Sequence, residues 1–276
     1  MSLGIISAVD SIEAKESKKK MPIIFIGHGS PMNALAENSF TKSLNNLGTS
    51  LGKPKAILVV SAHWLTNGVT GVQSSLNPEV IYDFGGFPQE LYQVKYPVKG
   101  YPELAHAISQ KIKLNPTIAT EQWGIDHGTW TVLRHIFPKA DIPTFQLSID
   151  FSKDSNFHFQ LGKELAYLRE QGVLILGSGN VIHNLRTIDG RNKTNLPSTP
   201  WAKELSETIK SALLSNDTKK LIEYTKLPGA NLGIANPDHY YPFLYMLGSA
   251  QGTTQMKQVY EGFDLGTLDM RCVLWS

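Results

Sequence analysis

The chain has 276 residues, 41% of them hydrophobic and 18% charged, and its formal net charge is +2. This composition is that of an ordinary globular protein, and the small, scattered positive charge argues against a nucleic-acid-binding face. No apolar run approaches the roughly 20 residues needed to span a bilayer. We therefore expect a cytoplasmic protein that acts on small molecules and binds neither nucleic acid nor membrane.

The first segment of the chain, residues 1–20, has a short apolar patch without preceding basic residues and carries several acidic side chains. That pattern does not fit a mitochondrial presequence, and we interpret the segment as a flexible tail. Residues 21–276 contain no repeat, low-complexity linker or charge block. They are predicted to form one domain.

The domain alternates between apolar runs and amphipathic segments. The runs predict buried strands at residues 22–27, 56–64, 142–150 and 173–179, and the segments predict helices around residues 39–51, 101–113, 128–137, 155–171 and 201–215. A helix from Pro242 to Ala250 and strands at 255–262 and 268–275, the last containing the single cysteine Cys272, complete the pattern. Alternation of this kind predicts an α/β fold: one domain with a central, mostly parallel sheet flanked by helices.

A long loop interrupts this alternation at residues 77–100. It contains several aromatic residues and the pair Gly85-Gly86. Loops of this length in compact domains are often lids or binding loops. The aromatic rings could instead serve to pack the loop onto the body, and a ring-lined wall over a pocket would do both.

Histidine is the residue type whose placement stands out. Of the eight in the chain, five lie at the end of a predicted strand or the start of a predicted helix, beside Gly, Ser, Asn or Pro: His28, His63, His127, His183 and His239. Ligands of open α/β sheets bind beyond the carboxyl ends of the strands, so we expect these five to converge. We interpret the other three, His106, His135 and His158, as structural, with His135 complementing a helix C-terminus.

Converging imidazoles suit Zn, Fe, Cu and Ni. With one cysteine the chain cannot form a thiolate site, and three protein ligands with open positions are typical of a catalytic metal. The sequence thus predicts a divalent metal that binds substrate.

The ordered segments "GHGSPMN", "VVSAHW", "DFGGFP", "DHGTW", "QLSID", "GSGNVIHNLRT" and "HYYP" together resemble the DOPA extradiol dioxygenases, a branch of the class III, LigB-like ring-cleaving enzymes. The resemblance runs from Met21 to the end of the chain and implies a LigB-like fold. It implies cleavage of a catechol such as DOPA at the 4,5 position with O2, by a catalytic domain at residues 21–276. We expect a monomer or small homo-oligomer.

The resemblance further implies roles for the histidines. His28, His63 and His239 match the family's metal ligands, and His183 matches a position that contacts the metal in some members. His127 matches the acid/base set, and His183 is a second candidate for that work. Relatives that cleave protocatechuate use a carboxylate as third ligand, so an all-histidine site leaves Zn(2+) and Fe(2+) both open, although ring cleavage implies ferrous iron.

Two acidic residues stand beside site histidines, Asp126 and Asp238. Either could orient an imidazole, but we expect both to cap the helix that follows. Two other functions compete with the dioxygenase. One is a zinc hydrolase using the same histidines to activate water, and the other is a non-enzymatic Memo-like metal-binding module of the same fold.

Overall fold

The computed structural model describes residues 20–187 and 198–276. The predicted tail therefore lies almost wholly outside the described residues. The strands are β1 Ile23–Gly27, β2 Ala56–Thr66, β3 Thr70–Gln73, β4 Thr117–Thr120, β5 Thr144–Asp150, β6 Val173–Gly179, β7 Met256–Tyr260, β8 Phe263–Asp264, β9 Leu268–Asp269 and β10 Cys272–Trp275. The α-helices are α1 Ser39–Leu51, α2 Gln89–Tyr92, α3 Pro102–Lys111, α4 His127–Ile136, α5 Ser155–Leu165, α6 Pro200–Leu214, α7 Thr218–Ile222, α8 Ala230–Gly233 and α9 Tyr241–Ser249.

Eight of these strands form one central sheet in the order β4-β3-β5-β2-β6-β1-β10-β7. The four middle strands β5, β2, β6 and β1 are parallel, whereas β10 and β7 extend the sheet antiparallel at one edge. At the other edge β3 pairs antiparallel with β5 and parallel with β4. This architecture confirms the predicted single-domain α/β fold with a mostly parallel sheet.

Alternating side chains of β1 show how the sheet is covered. Ile23 and Phe25 belong to a core that includes buried residues of α3, α5, α6 and α9, while Ile24 and Ile26 belong to a core on the opposite face with α1 and α4. All four side chains are fully buried. Burial on both faces explains why the middle strands have continuous apolar sequences rather than alternating ones.

The structure differs from the sequence-based prediction mainly in short or peripheral elements. β3 and β4 were not predicted, because each has only four residues and neither contains an uninterrupted apolar run. The helix predicted for 155–171 is α-helical only to Leu165 and continues as a 3-10 turn at Ala166–Arg169. Cys272 is buried in β10, as predicted. Within the described residues, no helix has both the length and the apolarity to cross a membrane.

Candidate metal centre

The five histidines predicted to converge lie together at the carboxyl edge of the middle strands: His28 and His183 follow β1 and β6, whereas His63 lies within β2, past its last pairing with β6 at Ser61. Parallel neighbours β1, β2 and β6 end at the same edge of the sheet. The ring centroids of the cluster are close: His28 to His63 5.1 Å, His28 to His239 5.2 Å, His63 to His127 4.0 Å and His183 to His239 3.6 Å.

The three histidines interpreted as structural lie in other surroundings. His106 is exposed on α3, and buried His158 packs at a tilt against Tyr241, with ring centroids 3.9 Å apart. His135 bonds through Nε2 with the carbonyl of Asn33 at 2.9 Å, and burial lowers its pKa. A lowered pKa favours neutral imidazole at neutral pH. This does not support the positive charge that we expected His135 to place at the end of α4.

Two glycines allow the backbone to bring these imidazoles together. A Cβ on Gly128 would lie 2.7 Å from Ser61 Oγ and 2.9 Å from His63 Cδ2. A Cβ on Gly179 would collide with the carbonyl oxygen of His239. Both positions require a residue without a side chain, because any larger residue would push apart the segments that carry the histidines.

The tautomer of His28 follows from its hydrogen bonds. Its Nδ1 lies 3.0 Å from Ser178 Oγ, and the Ser178 hydroxyl donates its proton to the carbonyl of Gly128 at 2.5 Å. Since that proton is already used, Ser178 can only accept from His28. The proton of neutral His28 is therefore on Nδ1, and Nε2 has a free lone pair.

His239 has the same tautomer for a different reason. Its Nδ1 lies 3.0 Å from Asp238 Oδ1, and an ionised carboxylate can only accept. Asp238 also accepts the backbone N–H of His239 at 2.7 Å. The expectation that Asp238 caps a helix is wrong, because a 3-10 turn begins at Pro237 and the Asp238 carboxylate is used on His239 itself.

The second acidic residue behaves as expected. Asp126 is the N-cap of α4 and accepts the backbone N–H of Thr129 at 3.1 Å. The Ser61 hydroxyl and the Gln146 amide also donate to it, at 2.7 and 2.6 Å. Burial raises the pKa of Asp126. Its carboxylate holds the start of the helix that carries His127.

Asp83, from the long aromatic loop, is a site residue that the sequence analysis did not identify. Its Oδ1 lies 2.9 Å from His127 Nδ1 and accepts the backbone N–H of His127 at 3.0 Å, and its Oδ2 lies 3.4 Å from His63 Nδ1. Burial alone would raise the pKa of Asp83, but the contacts with His127 and His63 lower it. The signal in the sequence was the acidic residue that precedes the Gly pair in "DFGGFP".

The facing nitrogens of His28 and His63 provide a test of whether a metal fits. Their Nε2 atoms lie 3.3 Å apart, and His28 directs a lone pair at His63. With the proton of His63 on Nδ1, which lies 3.4 Å from Asp83 Oδ2, both Nε2 atoms can bind a metal. Two ligands at 2.0–2.1 Å from a tetrahedral metal would be about 3.3 Å apart. The donors therefore fit a divalent metal, which would remove the repulsion between the two lone pairs.

The pKa values of the histidines favour the same use. Burial and the neighbouring histidines hold the pKa values of His28 and His239 well below the usual range. Burial, opposed in part by nearby carboxylates, lowers the pKa of His63 to about 3 and that of His183 to about 4. Neutral imidazole is the form that binds metal, so these rings do not have to lose a proton at neutral pH.

The three histidines whose nitrogens lie close enough together to share a metal are not the predicted set. Among the described residues, one nitrogen each of His28, His63 and His127 lies within 4.8 Å of the other two. The sequence analysis placed His239 and His183 with His28 and His63, and gave His127 an acid/base role. The geometry thus gathers a site of three histidines that can hold a metal, with His239 and His183 beside it.

Comparison with known proteins agrees with this site. Residues 22–266 match the family described as the catalytic LigB subunit of aromatic ring-opening dioxygenase. The chain belongs to this family. It is 44% identical over 261 residues to a 4,5-DOPA dioxygenase extradiol of Escherichia coli, covering 93% of this chain and 95% of that protein. It is 35% identical over 251 residues to a 4,5-DOPA dioxygenase extradiol of Beta vulgaris, covering 88% and 92%.

A solved structure agrees as well. The crystal structure of an uncharacterized protein from Escherichia coli K12 superposes with a TM-score of 0.80 at 39% identity, covering 93% of this chain and all of that one. These matches confirm the predicted family, the LigB-like fold and the function of an extradiol, ring-opening dioxygenase. The matches favour the dioxygenase over the zinc hydrolase and the Memo-like module.

Proposed function

We propose that the protein cleaves the ring of a DOPA-like catechol at the 4,5 position and incorporates both atoms of O2. The observation that carries this proposal is the meeting of five imidazoles at one edge of the sheet, where the Nε2 atoms of His28 and His63 face each other across 3.3 Å. The names of the Escherichia coli and Beta vulgaris relatives support the substrate class.

We assign His28, His63 and His239 as the metal ligands, with Fe(2+) as the metal of ring cleavage and Zn(2+) as the alternative. Support comes from the Ser178, Asp83 and Asp238 oxygens, which face the Nδ1 atoms and leave the three Nε2 atoms free. A divalent metal held by neutral ligands supplies uncompensated positive charge, on which a catechol can bind through both oxygens as an anion.

Proton transfer falls to His127 and His183 in this proposal. A catechol that binds as an anion must give up phenolic protons, and one of them has to return during ring opening. The His127 ring centroid lies 4.0 Å from that of His63, and the His183 ring stacks on that of His239. Both rings are thus within reach of a substrate bound between the ligands. His183 also stays a candidate fourth ligand.

An aromatic surface beside the cluster suits a ring-shaped substrate. The Phe84 ring meets the His127 ring edge-on, with centroids 5.3 Å apart, and contacts the ring of Phe87 at 5.4 Å. Phe87 in turn lines a cavity of 730 Å³ with Ser30, two residues after His28. We propose that the substrate side chain extends into this cavity. The aromatic loop thus both packs onto the body and lines the site.

The remaining predictions from the sequence concern assembly and surroundings. A monomer or small homo-oligomer, a cytoplasmic location, and the absence of nucleic-acid and membrane partners stay predictions. Binding assays with single-stranded and duplex nucleic acids and with anionic vesicles would test the expected absence of those partners. A sizing column would test the oligomeric state.

The proposed activity is tested by loading the protein with Fe(II) under anaerobic conditions and then adding DOPA and air. We expect one O2 consumed per DOPA and a new yellow chromophore from the opened ring. Fe(II) without protein is the control for oxidation by free iron. The same protein loaded with Zn(II) is the control for O2 uptake that needs no redox metal. Absence of O2 uptake over a panel of catechols, with the metal still bound, would contradict the proposal.

A further inference from the structure

Asp83 approaches two histidines that have different roles in the proposed function. Its Oδ2 lies 3.4 Å from Nδ1 of the ligand His63, and its Oδ1 lies 2.9 Å from Nδ1 of the acid/base candidate His127. The two imidazoles are separated by 64 positions in the chain, yet one carboxylate lies beside both. Its side chain is 20% exposed, so water competes only in part for these contacts.

The segment that carries Asp83 is held firmly against the chain leading into α4. The backbone N–H of Ile81 donates to the carbonyl of Ile125 at 2.8 Å, and the N–H of Ile125 donates to the carbonyl of Glu79 at 2.7 Å. The Trp130 indole N–H, from α4, donates to the carbonyl of Ile81 at 2.9 Å. These bonds fix the position of Asp83 relative to His127 before any ligand binds.

A carboxylate and an amide differ at this position in a way that can be measured. Both carboxylate oxygens accept, so each can face an Nδ1–H, whereas an asparagine side chain has one acceptor and one donor. The side-chain oxygen of an asparagine would still accept the backbone N–H of His127. Its NH2 group would then face Nδ1 of His63, which favours the tautomer with the proton on Nε2.

We propose that Asp83 is a positioning residue that holds the proton of both His63 and His127 on Nδ1 and so directs both Nε2 atoms toward the reacting centre. The inference rests on the proposed roles of the two histidines as ligand and acid/base. It assigns to the "DFGGFP" loop a function beyond packing. One carboxylate thereby sets the orientation of a metal ligand and of a proton-transfer group together.

The competing interpretation is that Asp83 only accepts the first backbone N–H of α4. Asp154 provides the matched control, because it accepts the backbone N–H of Phe157 at 2.8 Å at the start of α5 and lies outside the histidine cluster. Asparagine keeps one acceptor and caps a helix about as well as aspartate. D154N therefore reports the effect of exchanging a capping carboxylate for an amide away from the histidines.

The experiment compares the wild-type chain, D83N and D154N in three measurements. Long-range ¹H–¹⁵N NMR of the metal-free protein gives each histidine tautomer, chelator competition gives the affinity for Zn(II), and urea unfolding gives the stability. For D83N we expect His63 to move its proton to Nε2 and the Zn(II) affinity to fall by about 10- to 100-fold, the usual effect of removing a partner of a ligand. D154N should leave the tautomers and the Zn(II) affinity unchanged.

Two outcomes would overturn the proposal. One is a D83N protein that, like D154N, keeps its tautomers and Zn(II) affinity. The other is a wild-type spectrum with the proton of His63 or His127 on Nε2, which decides the matter even if D83N does not fold. Neither measurement depends on ring cleavage. A wild-type protein that cleaves no catechol, but shows the expected tautomers and the D83N effect, would contradict the proposed function and leave this inference standing.

Discussion

The Nε2 atoms of His28 and His63 face each other across 3.3 Å at the carboxyl end of the central sheet. Each ring has an oxygen beside its Nδ1: Ser178 Oγ for His28 and Asp83 Oδ2 for His63. With both protons on Nδ1, two lone pairs face each other and a cation between them removes their repulsion, whereas a proton on His63 Nε2 would join the rings by a hydrogen bond. The relationship makes metal binding a property of the pair rather than of either residue.

Removing either member of the pair should therefore abolish metal retention. We expect His28→Ala and His63→Ala to hold less than a tenth of the Zn(II) of the wild type after dialysis, because one ligand and the opposing lone pair are lost. Metal content is measured by atomic emission, and circular dichroism checks the fold. His106→Ala, an exposed change on α3, is the control. Normal metal content in both variants would contradict the ligand assignment.

The role of His127 is decided by a different combination of results. We expect His127→Ala to keep its metal but to lose about 100-fold or more in kcat for ring cleavage, the usual effect of removing a general acid/base. Metal content and O2 uptake are measured on the same preparation. One nitrogen of His127 also lies within 4.8 Å of nitrogens of His28 and His63. Loss of metal in this variant would therefore place His127 among the ligands.

Which parts of this site a sequence can predict depends on what fixes each residue. His28 and His183 were predictable because a strand end is visible locally as an apolar run followed by Gly, Ser or Asn. His63 was predictable because it follows Ser61 in the apolar run of β2, although that strand continues to Thr66. Ser178 and Asp83 were not, because their roles arise from contacts across 150 positions to His28 and 44 positions to His127. The short edge strands were missed for a related reason: their pairing partners, not their own residues, make them strands.

Acid should destabilise the metal-free protein through buried histidines, and His158 offers a clean test away from the metal centre. Burial, opposed by nearby Asp150, Asp154 and the Lys153 carbonyl, lowers its folded-state pKa to about 4. The unfolded chain takes up a proton near pH 6.5, so between pH 6.5 and 4 the unfolded state holds more protons and stability falls as the pH falls. The lowered pKa of His158 corresponds to about 3 kcal/mol of stability, which is lost as the pH falls below both pKa values.

This expectation is measured by urea unfolding of the metal-free protein from pH 7.5 to 4.5. We expect the midpoint to fall steadily below pH 6.5, and His158→Gln to fall less because it has lost one group that takes up a proton on unfolding. His106→Gln changes an exposed histidine and should follow the wild-type curve. Equal slopes for wild type and His158→Gln would show that His158 does not contribute.

Substrate preference should depend on Asp264, the one charged side chain among the described residues that line the cavity proposed for the substrate side chain. Its Oδ2 accepts the backbone N–H of Ser30 at 3.3 Å, and the carboxylate is partly exposed to the cavity. Phe87, Tyr260 and Phe263 are aromatic lining residues. A side chain that ends in an ammonium group therefore suits this cavity better than one that ends in a carboxylate.

We expect Asp264→Asn to raise KM for dopamine by up to about fivefold, as for a partly exposed charge pair, with little change in kcat. For 3,4-dihydroxyphenylpropionate, which carries a carboxylate in place of the ammonium group, KM should fall, because a like charge has been removed. The measurement is steady-state O2 uptake with both catechols, and D154N serves as the control for an unrelated Asp-to-Asn change. A parallel change of KM for the two substrates would show that Asp264 affects the shape of the cavity and not its charge preference.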